Sequence, residues 1–394
     1  MHAQTYTVLY NFSNGADGGA PQAALTRDSA GRLYGTTLDG GAGYGTVFRM
    51  TNQNGSWIFS NLYKFEGNNG NNDGAGPIAK MVIGPNGSLY GTTVAGGGGS
   101  GSGCADFGYE GCGTVFNLQP PFSICKSITC PWHETVLLPF VTGPGGVYPF
   151  GAVAFDSHGN IYGTTQLGSG LGTVYELAYS GGAWSGSTLV SFTGTNGGEP
   201  YDTLVLDSAG NLYGTARGGG ANGYGVVFEL SNTGSGWQET ILHSFDDSDG
   251  AEPFGGLIFD SHGNLYGTTS SGGPGNGGTV FELSPSGGGW QFSLLYSFTG
   301  AGQWGPADSL TIDSAGNLYG TAYKDGANSE GSVFELSPTG QGWVFTDLHD
   351  FSGGSDGCNP NGGVVLDAAG NIYGTTTGCG TYPNQYGTVW KIVP

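Results

Sequence analysis

Charged residues are scarce in this sequence, and basic ones are the scarcest. Only 10% of the residues are charged, against about a quarter in an average protein. Nine Lys and Arg stand against 30 Asp and Glu, which gives a formal net charge of −21. Nucleic acids and anionic membranes are bound through basic patches, so the composition excludes both as partners. The simplest role of so acidic a surface is solubility in an extracellular environment.

Long apolar segments and catalytic histidine clusters are also missing. No run of about twenty apolar residues occurs, so we expect no membrane insertion. The histidines lie in turns and outer strands of the repeat described below, where they form neither a Ser/His/Asp triad nor a metal site. These absences argue against serine hydrolases and histidine–metal lyases, and they predict no metal and no cofactor.

Glycine and aromatic residues dominate instead. The 82 Gly would indicate disorder if they had no period, but 21 Tyr, 21 Phe and 8 Trp supply large apolar surfaces for a core. The motif Tyr-Gly-Thr sets the period. It occurs seven times at intervals of 51 to 72 residues, with its tyrosine at Tyr34, Tyr90, Tyr162, Tyr213, Tyr266, Tyr319 and Tyr373. Repeats of about 50 residues are typical of β-propeller blades.

Each repeat predicts four strands. In residues 253–298, four apolar runs over 257–260, 264–269, 278–283 and 290–298 are separated by turn sequences. The first turn, Asp-Ser-His-Gly-Asn, suits a tight hairpin because the Asp side chain bonds the turn backbone and Gly accepts a positive φ. Residues 1–394 are therefore predicted to form one all-β domain, a seven-bladed β-propeller of four-stranded antiparallel blades.

The two ends of the chain supply the parts of one blade. The last repeat stops after its third strand, 387–392, and the chain begins with an unaccompanied fourth strand, 6–12. If the N-terminal strand joins the last blade, two raw sheet edges are removed and the ring is closed. Six repeats have a Trp eight residues before the last Phe of the fourth strand, and the N-terminal strand has Gln4 there.

The repeat also resembles a known family. The string Gly-Asn-Leu-Tyr-Gly-Thr-Thr, then Gly-Gly, then Gly-Thr-Val-Phe-Glu-Leu resembles the GloVer tandem repeat of secreted bacterial proteins, and the resemblance covers essentially the whole chain. It implies an exported protein, and larger members often carry a surface anchor, which is not evident before Pro394. The resemblance supplies no catalytic motif, so no site residue is taken from it.

The six cysteines lie in the loops of two repeats. Local pairing predicts three disulfides, Cys104–Cys112, Cys125–Cys130 and Cys358–Cys379, which would stabilise Gly-rich insertions. A zinc site built from the first four cysteines is the alternative, although it needs ligands from both faces of the disc and lacks the Cys-x-x-Cys spacing. Disulfides favour an oxidising location, so we expect a secreted, periplasmic or cell-surface protein.

Positions where one repeat departs from the others are candidates for function. The inner strand of each blade follows Pro-x-x-x-apolar and begins on the face that is called the top here. The second x is small in five repeats, but it is Asp202 and Asp308 in two, and Lys80 stands at the third x of another. Arg217 and Lys324 begin top loops of the two Asp-bearing blades, so two intrablade ion pairs, Asp202–Arg217 and Asp308–Lys324, are the structural alternative to a ligand site.

Aromatic residues also depart from the repeat at the top. Tyr201, Trp304 and Tyr323 lie on top loops or strand starts, where an aromatic face could stack on a sugar ring. We expect them to form, with Lys80, Asp202, Arg217, Asp308 and Lys324, one ligand site at the mouth of the central channel.

Three functions follow from this site. The first is a monomeric glycan-binding or surface-interaction propeller whose ligand is an oligosaccharide or polysaccharide. The second is a polysaccharide-degrading enzyme, a glycoside hydrolase or lyase, with Asp202 and Asp308 as catalytic carboxylates and Glu199 and Glu252 as further candidates. The third is a structural scaffold, since propellers support all three roles.

Overall fold

The seven repeats fold into seven four-stranded antiparallel sheets arranged in a ring. The computed structural model describes residues 4–67, 72–98, 104, 109–121, 131–168, 170–299, 305–306, 308–381 and 385–394. Across these ranges, no helix is long and apolar enough to cross a membrane. The seven-bladed propeller predicted from the Tyr-Gly-Thr period is confirmed.

In each blade the strands follow one another from the channel outwards. Blade 1 contains β2 (Thr26–Arg27), β3 (Leu33–Thr37), β4 (Thr46–Gln53) and β5 (Ser56–Lys64). Blade 2 contains β6 (Val82–Ile83), β7 (Leu89–Thr93), β8 (Thr114–Gln119) and β9 (His133–Pro139), and blade 3 contains β10 (Ala154–Phe155), β11 (Ile161–Thr165), β12 (Thr173–Ser180) and β13 (Ala183–Ser191). Blades 4 and 5 contain β14 (Val205–Leu206), β15 (Leu212–Ala216), β16 (Val226–Asn232) and β17 (Trp237–Ser244); and β18 (Ile258–Phe259), β19 (Leu265–Thr269), β20 (Thr279–Ser286) and β21 (Gly289–Ser297). Blades 6 and 7 contain β22 (Thr311–Ile312), β23 (Leu318–Ala322), β24 (Ser332–Thr339) and β25 (Gly342–Asp350); and β26 (Val365–Leu366), β27 (Ile372–Thr376), β28 (Thr388–Val393) and β1 (Thr5–Asn11).

The innermost strand is shorter than the sequence predicts. In blade 5 the apolar run 257–260 predicts four residues, but only Ile258–Phe259 pairs with β19. The residues just before it bond to neighbouring blades instead of to their own sheet. The inner strand therefore holds the ring together as well as its blade.

The threonine of Tyr-Gly-Thr makes this link between blades. Its hydroxyl donates to the carbonyl of the second residue after the inner-strand proline of the next blade. All seven bonds are present at 3.0–3.2 Å: Thr36 to Ala79, Thr92 to Gly151, Thr164 to Asp202, Thr215 to Gly255, Thr268 to Asp308, Thr321 to Gly362 and, across the seam of the ring, Thr375 to Ala23. The motif is thus conserved along the chain because each copy satisfies a buried carbonyl of its neighbour.

The N-terminal strand closes the ring, as predicted. β1 pairs antiparallel with β28 from Thr5 opposite Val393 to Asn11 opposite Thr388. Phe12 is fully buried, and Tyr6 stacks on His349 of blade 6 with ring centroids 3.9 Å apart. The first residues of the chain therefore complete blade 7 and its contact with blade 6.

Two of the three predicted disulfides are present. Cys104 is bonded to Cys112 and Cys358 to Cys379, and the part of the chain that the structure describes holds no free cysteine. The bond between Cys104 and Cys112 rules out the four-cysteine zinc site. Cys125 and Cys130 lie outside the described residues, so their pairing stays a prediction. Such bonds are typical of proteins in an oxidising compartment.

Candidate functional site

Four of the residues predicted for the top site line one depression at the mouth of the central channel. Lys80, Tyr201, Asp202 and Asp308 meet there. The cavity volume is about 50 Å³, which accommodates one or two waters at roughly 30 Å³ each and is far below the ~300 Å³ of a small-molecule pocket. As bounded by the described residues, this depression is smaller than a typical small-molecule site.

The two carboxylates of the depression accept hydrogen bonds from the channel wall. Asp202 accepts from the backbone N–H groups of Thr203 and Gly256, both at 2.6 Å, and from the Ser309 hydroxyl at 2.9 Å. Asp308 accepts from the N–H groups of Ser309 and Gly363, both at 2.6 Å. Each carboxylate therefore bridges the inner strands of adjacent blades, and its oxygens satisfy N–H groups that would otherwise face the channel.

One of these carboxyl groups has a raised pKa. Burial, and then the negative charge of Asp202, raises the pKa of Asp308 to about 7. The bond from Gly363 and the positive charge of Lys80 lower the pKa by smaller amounts. Asp308 is thus a carboxyl group that holds its proton more tightly than an exposed aspartate does.

Arg217 and Lys324, the two basic residues of the top loops, do not pair with the aspartates that the sequence suggested as their partners. The Arg217 guanidinium lies 3.4 Å from Glu199 and 3.4 Å from Glu252, and 4.6 Å from the ring centroid of Phe254. Lys324 pairs with Glu330 at 3.7 Å. Neither the Asp202–Arg217 nor the Asp308–Lys324 ion pair forms.

The predicted top site is therefore only partly assembled in the structure. Arg217, Tyr323 and Lys324 do not line the depression around Lys80 and Asp202. Trp304 lies outside the described residues.

A much larger recess lies on the opposite, bottom face between blades 2 and 3. This recess, named groove 2/3, has a volume of about 700 Å³, within the ~300–1,000 Å³ range of ligand sites. Its lining includes Asn86, Tyr90, Asn117, Phe155, Tyr179 and Trp184. Sequence reasoning missed this recess because the motif tyrosine and the fourth-strand tryptophan recur in the repeats and were interpreted as structural.

Aromatic rings form the apolar part of groove 2/3. The ring centroids of Tyr179 and Trp184 are 5.0 Å apart, and Tyr179 is 58% exposed. Tyr90 meets Phe155 edge to face at 4.9 Å. Other repeats have Asn or Pro at the position of Tyr179, namely Asn52, Pro120, Asn232, Pro285 and Pro338. This departure from the repeat was the signal in the sequence for the groove.

The polar side chains that blade 2 contributes to groove 2/3 differ from their counterparts in every other blade. In the other six blades the motif tyrosine donates its hydroxyl hydrogen to the aspartate of the first turn at 2.9–3.3 Å: Tyr34 to Asp28, Tyr162 to Asp156, Tyr213 to Asp207, Tyr266 to Asp260, Tyr319 to Asp313 and Tyr373 to Asp367. In blade 2 the turn supplies Asn86, whose Nδ2 donates to the Tyr90 hydroxyl at 3.1 Å. The Tyr90 hydroxyl hydrogen has no acceptor among the described residues.

A second acidic residue of the repeat is also replaced in blade 2. The third strand carries Glu176, Glu229, Glu282 or Glu335 in blades 3 to 6, but Asn117 in blade 2. Asn117 donates from Nδ2 to the carbonyl of Leu89 at 3.1 Å, which leaves its side-chain oxygen as an acceptor. Apart from His158, the polar side chains that line groove 2/3 are therefore amides and hydroxyls beside aromatic rings.

The recess between blades 5 and 6, named groove 5/6, shows the acidic version of the same construction. It has a volume of about 660 Å³ and is lined by Asp260, Tyr266, Asp313 and Trp343. The Tyr266 hydroxyl contacts both Asp260 and Glu282 at 3.3 Å, so its hydrogen is already donated within the protein. Groove 5/6 thus provides an internal comparison for groove 2/3.

Within the described ranges, the one group with suitable geometry for a metal ion is Glu330, Cys358 and Cys379, and its two sulfurs are joined in a disulfide.

Comparisons with known proteins identify a repeat family and a shared fold. A family model described as the Gloeobacter/Verrucomicrobia repeat matches residues 104–303 and 288–394. No curated protein matches the sequence. An ulvan lyase of polysaccharide lyase family PL25 is similar at a TM-score of 0.57 and 13% identity, over 95% of this chain and 93% of the lyase.

Two further solved structures are similar at the same level. A putative 6-phosphogluconolactonase from Bacteroides uniformis has a TM-score of 0.54 and 12% identity, over 83% of this chain and 84% of that protein. The extracellular domain of a putative one-component system from B. thetaiotaomicron has a TM-score of 0.54 and 13% identity, over 95% of this chain and 40% of that protein. At these identities the similarity shows the propeller fold alone, because one fold hosts unrelated functions.

Proposed function

We propose that this chain, which belongs to the Gloeobacter/Verrucomicrobia repeat family, is an exported, monomeric propeller of one domain that binds glycans without cleaving them. The ligand site is groove 2/3. The observation that supports this site is the joint replacement of two repeat acids by Asn86 and Asn117 beside the exposed Tyr179 and the half-buried Trp184.

The chemistry of the groove fits a sugar. The apolar face of a pyranose ring stacks on an aromatic side chain, and its hydroxyl groups need neutral donors and acceptors in the plane of the ring. Both kinds of group are supplied by the exposed rim amides of Asn86 and Gln119 and, in the wall of the groove, by the largely buried Tyr90 and Asn117. Groove 2/3 therefore offers the two halves of a carbohydrate site.

The charge of the protein selects among glycans. A net charge of −21 repels uronate-rich or sulfated polymers over several ångströms at physiological salt. Neutral oligosaccharides escape this repulsion, and the amides of Asn86, Asn117 and Gln119 in groove 2/3 add no charge. The proposal is therefore restricted to neutral glycans.

A glycan array, paired with a reducing-sugar release screen, tests this function. We expect retention of neutral glycans without release of product. Trp184→Ala should weaken binding of the best array ligand by about tenfold or more, equivalent to about 1.4 kcal/mol, because the stacking surface is lost. The matched control is Trp290→Ala, which removes the equivalent tryptophan of blade 5, a residue that packs on Tyr213 away from groove 2/3. Equal loss in both variants would contradict the assignment of the groove.

A polysaccharide-degrading enzyme at the top of the channel is the second candidate. Asp308, whose pKa is raised by burial and by the charge of Asp202, is the observation that favours it, since a glycosidase needs one carboxyl group with a raised pKa. The depression of about 50 Å³ and the N–H bonds to both carboxylates weigh against it. Trp304 and Tyr201 are its proposed stacking residues.

Substitution of the two carboxylates tests this enzyme. If the protein releases sugar, Asp202→Asn and Asp308→Asn should each abolish the release, and Trp184→Ala should leave it intact. Under the binding proposal no release occurs in any of these proteins. A chain that neither binds nor cleaves a glycan would leave only the scaffold function.

A further inference from the structure

We infer that a cavity between the outer strands of blades 2 and 3 binds a single phenyl-sized aromatic ring. The cavity is lined by Leu138, Phe140, Tyr175, Gly186 and the loop 141–146, and its volume is about 180 Å³. The cavity is separate from groove 2/3. Both lie between blades 2 and 3, but they have no lining residue in common.

Four of the other six blades place an aromatic ring at this position. Gly186 pairs with Leu177 in the sheet of blade 3, and the same register places Phe59 opposite Met50 in blade 1 and Phe292 opposite Leu283 in blade 5. Blade 6 repeats this arrangement with Phe345. Blade 3 therefore has a glycine where blades 1, 5 and 6 have a phenylalanine and blade 7 has Tyr6, while blades 2 and 4 have Glu134 and Glu239 there.

The surroundings of that phenylalanine are the walls of the cavity. In blade 1 the Phe59 ring stacks on Tyr10 at 4.3 Å and meets Phe12 at 6.0 Å and Phe48 at 5.5 Å. In blade 5 the Phe292 ring has the equivalent neighbours at 4.1, 6.1 and 5.7 Å.

The equivalent walls in blade 3 are Leu138, Phe140 and Tyr175, which line the cavity. Three walls of a phenyl site are thus retained, and the phenyl ring is missing.

The size and polarity of the cavity fit a free aromatic ring. A closed apolar cavity of about 150 Å³ is enough to bind benzene. The wall residues Leu138, Phe140 and Tyr175 bury the ring faces, while the Thr188 hydroxyl donates to the Pro144 carbonyl at 3.3 Å and holds the loop at the rim. Val141, 58% exposed, lies at the open side, where a polar substituent on the ring would reach water. The ligand class is a small single-ring aromatic compound such as a phenol.

Phenol is the probe that tests this site. Ligand-observed NMR should show saturable binding with a Kd of about 1 mM, as expected for a fragment of seven heavy atoms. Gly186→Phe places the missing ring in the cavity and should weaken phenol binding by about tenfold or more while raising the melting temperature. Gly186→Ala, whose Cβ would lie 3.3 Å from Leu138, is the matched control and should retain binding within about threefold.

Two measurements keep the inference testable if Gly186→Phe does not fold. The double variant Leu138→Tyr/Gly186→Phe reproduces the Tyr10–Phe59 pair of blade 1 and should also lose phenol binding. Crystals of the unmodified protein soaked with 4-bromophenol should show the bromine between Phe140, Tyr175 and Gly186. Unchanged phenol binding in the filled variants, or a bromine only in groove 2/3 beside Trp184, would overturn the inference.

Discussion

A chain that lacks residues 1–12 should aggregate, or melt far below the full-length protein. Residues 5–11 form the outer strand of blade 7, and Phe12 is fully buried against Phe48 of blade 1, with ring centroids 5.3 Å apart. Removing them exposes the edge of β28 and the apolar faces of blades 6 and 1 at once, and a raw sheet edge is an aggregation site. The seam of the ring therefore depends on its first strand.

Two variants grade this effect. Phe12→Ala alone should lower the free energy of unfolding by about 3–5 kcal/mol, since it opens a cavity in the core. Thr7→Ala changes an exposed residue of the same strand and should be nearly neutral. Thermal unfolding by circular dichroism, with light scattering to detect aggregates, measures all three proteins. A truncated chain that melts at the full-length temperature would mean that β1 does not close the ring.

Gly267→Ala should lower the free energy of unfolding by about 3 kcal/mol, a large cost for one methyl group. A Cβ at Gly267 would lie 2.5 Å from the Phe281 ring and 2.9 Å from Leu257, distances that real Cβ atoms do not adopt. The buried ring and the inner strand must move, because the interior is packed without spare volume. The glycine of the motif is thus required by the third-strand aromatic residue.

Gly289→Ala is the matched control for this substitution. Its Cβ would meet nothing closer than 3.9 Å, so the same change should leave the free energy of unfolding nearly unaltered. Urea denaturation of the two variants gives the comparison. The same contact, at 2.3–2.8 Å, exists in every blade, at Gly35, Gly91, Gly163, Gly214, Gly267, Gly320 and Gly374. Equal denaturation midpoints for both variants would show that the core yields more easily than its packing indicates.

The fold was accessible from the sequence because its signals are local and repeated. The Tyr-Gly-Thr period gave the number of blades, and the orphan strand before Phe12 gave the closure of the ring. The link from each motif threonine to the next blade was not accessible, because it joins residues about 40 positions apart, such as Thr215 and Gly255, whose contact depends on how blades are placed around the channel.

The candidate site was only partly accessible. The positions of Lys80, Asp202 and Asp308 in the repeat predicted that they lie at the channel mouth, and they line the depression there. The carboxylates of Asp202 and Asp308 accept hydrogen bonds from channel N–H groups and do not pair with Arg217 or Lys324. This choice of partner depends on side-chain geometry, which the spacing of residues in the sequence does not encode. Groove 2/3 combines departures from two repeats, Asn86 in blade 2 and Tyr179 in blade 3, and these become one site only when adjacent blades are in contact.

Isothermal titration calorimetry of Asn86→Asp/Asn117→Glu with the best neutral glycan from the array tests the proposed function most directly. The double variant restores the acids that blades 3 and 5 carry around the motif tyrosine, so the Tyr90 hydroxyl should donate within the protein as Tyr266 does. We expect affinity to fall by about tenfold or more, while the loss of the Asn117–Leu89 hydrogen bond should lower the free energy of unfolding by only about 1 kcal/mol. The reciprocal change in groove 5/6, Asp260→Asn/Glu282→Gln, is the control and should leave affinity for that glycan unchanged. Full affinity in the Asn86→Asp/Asn117→Glu variant would contradict the assignment of groove 2/3 as the glycan site.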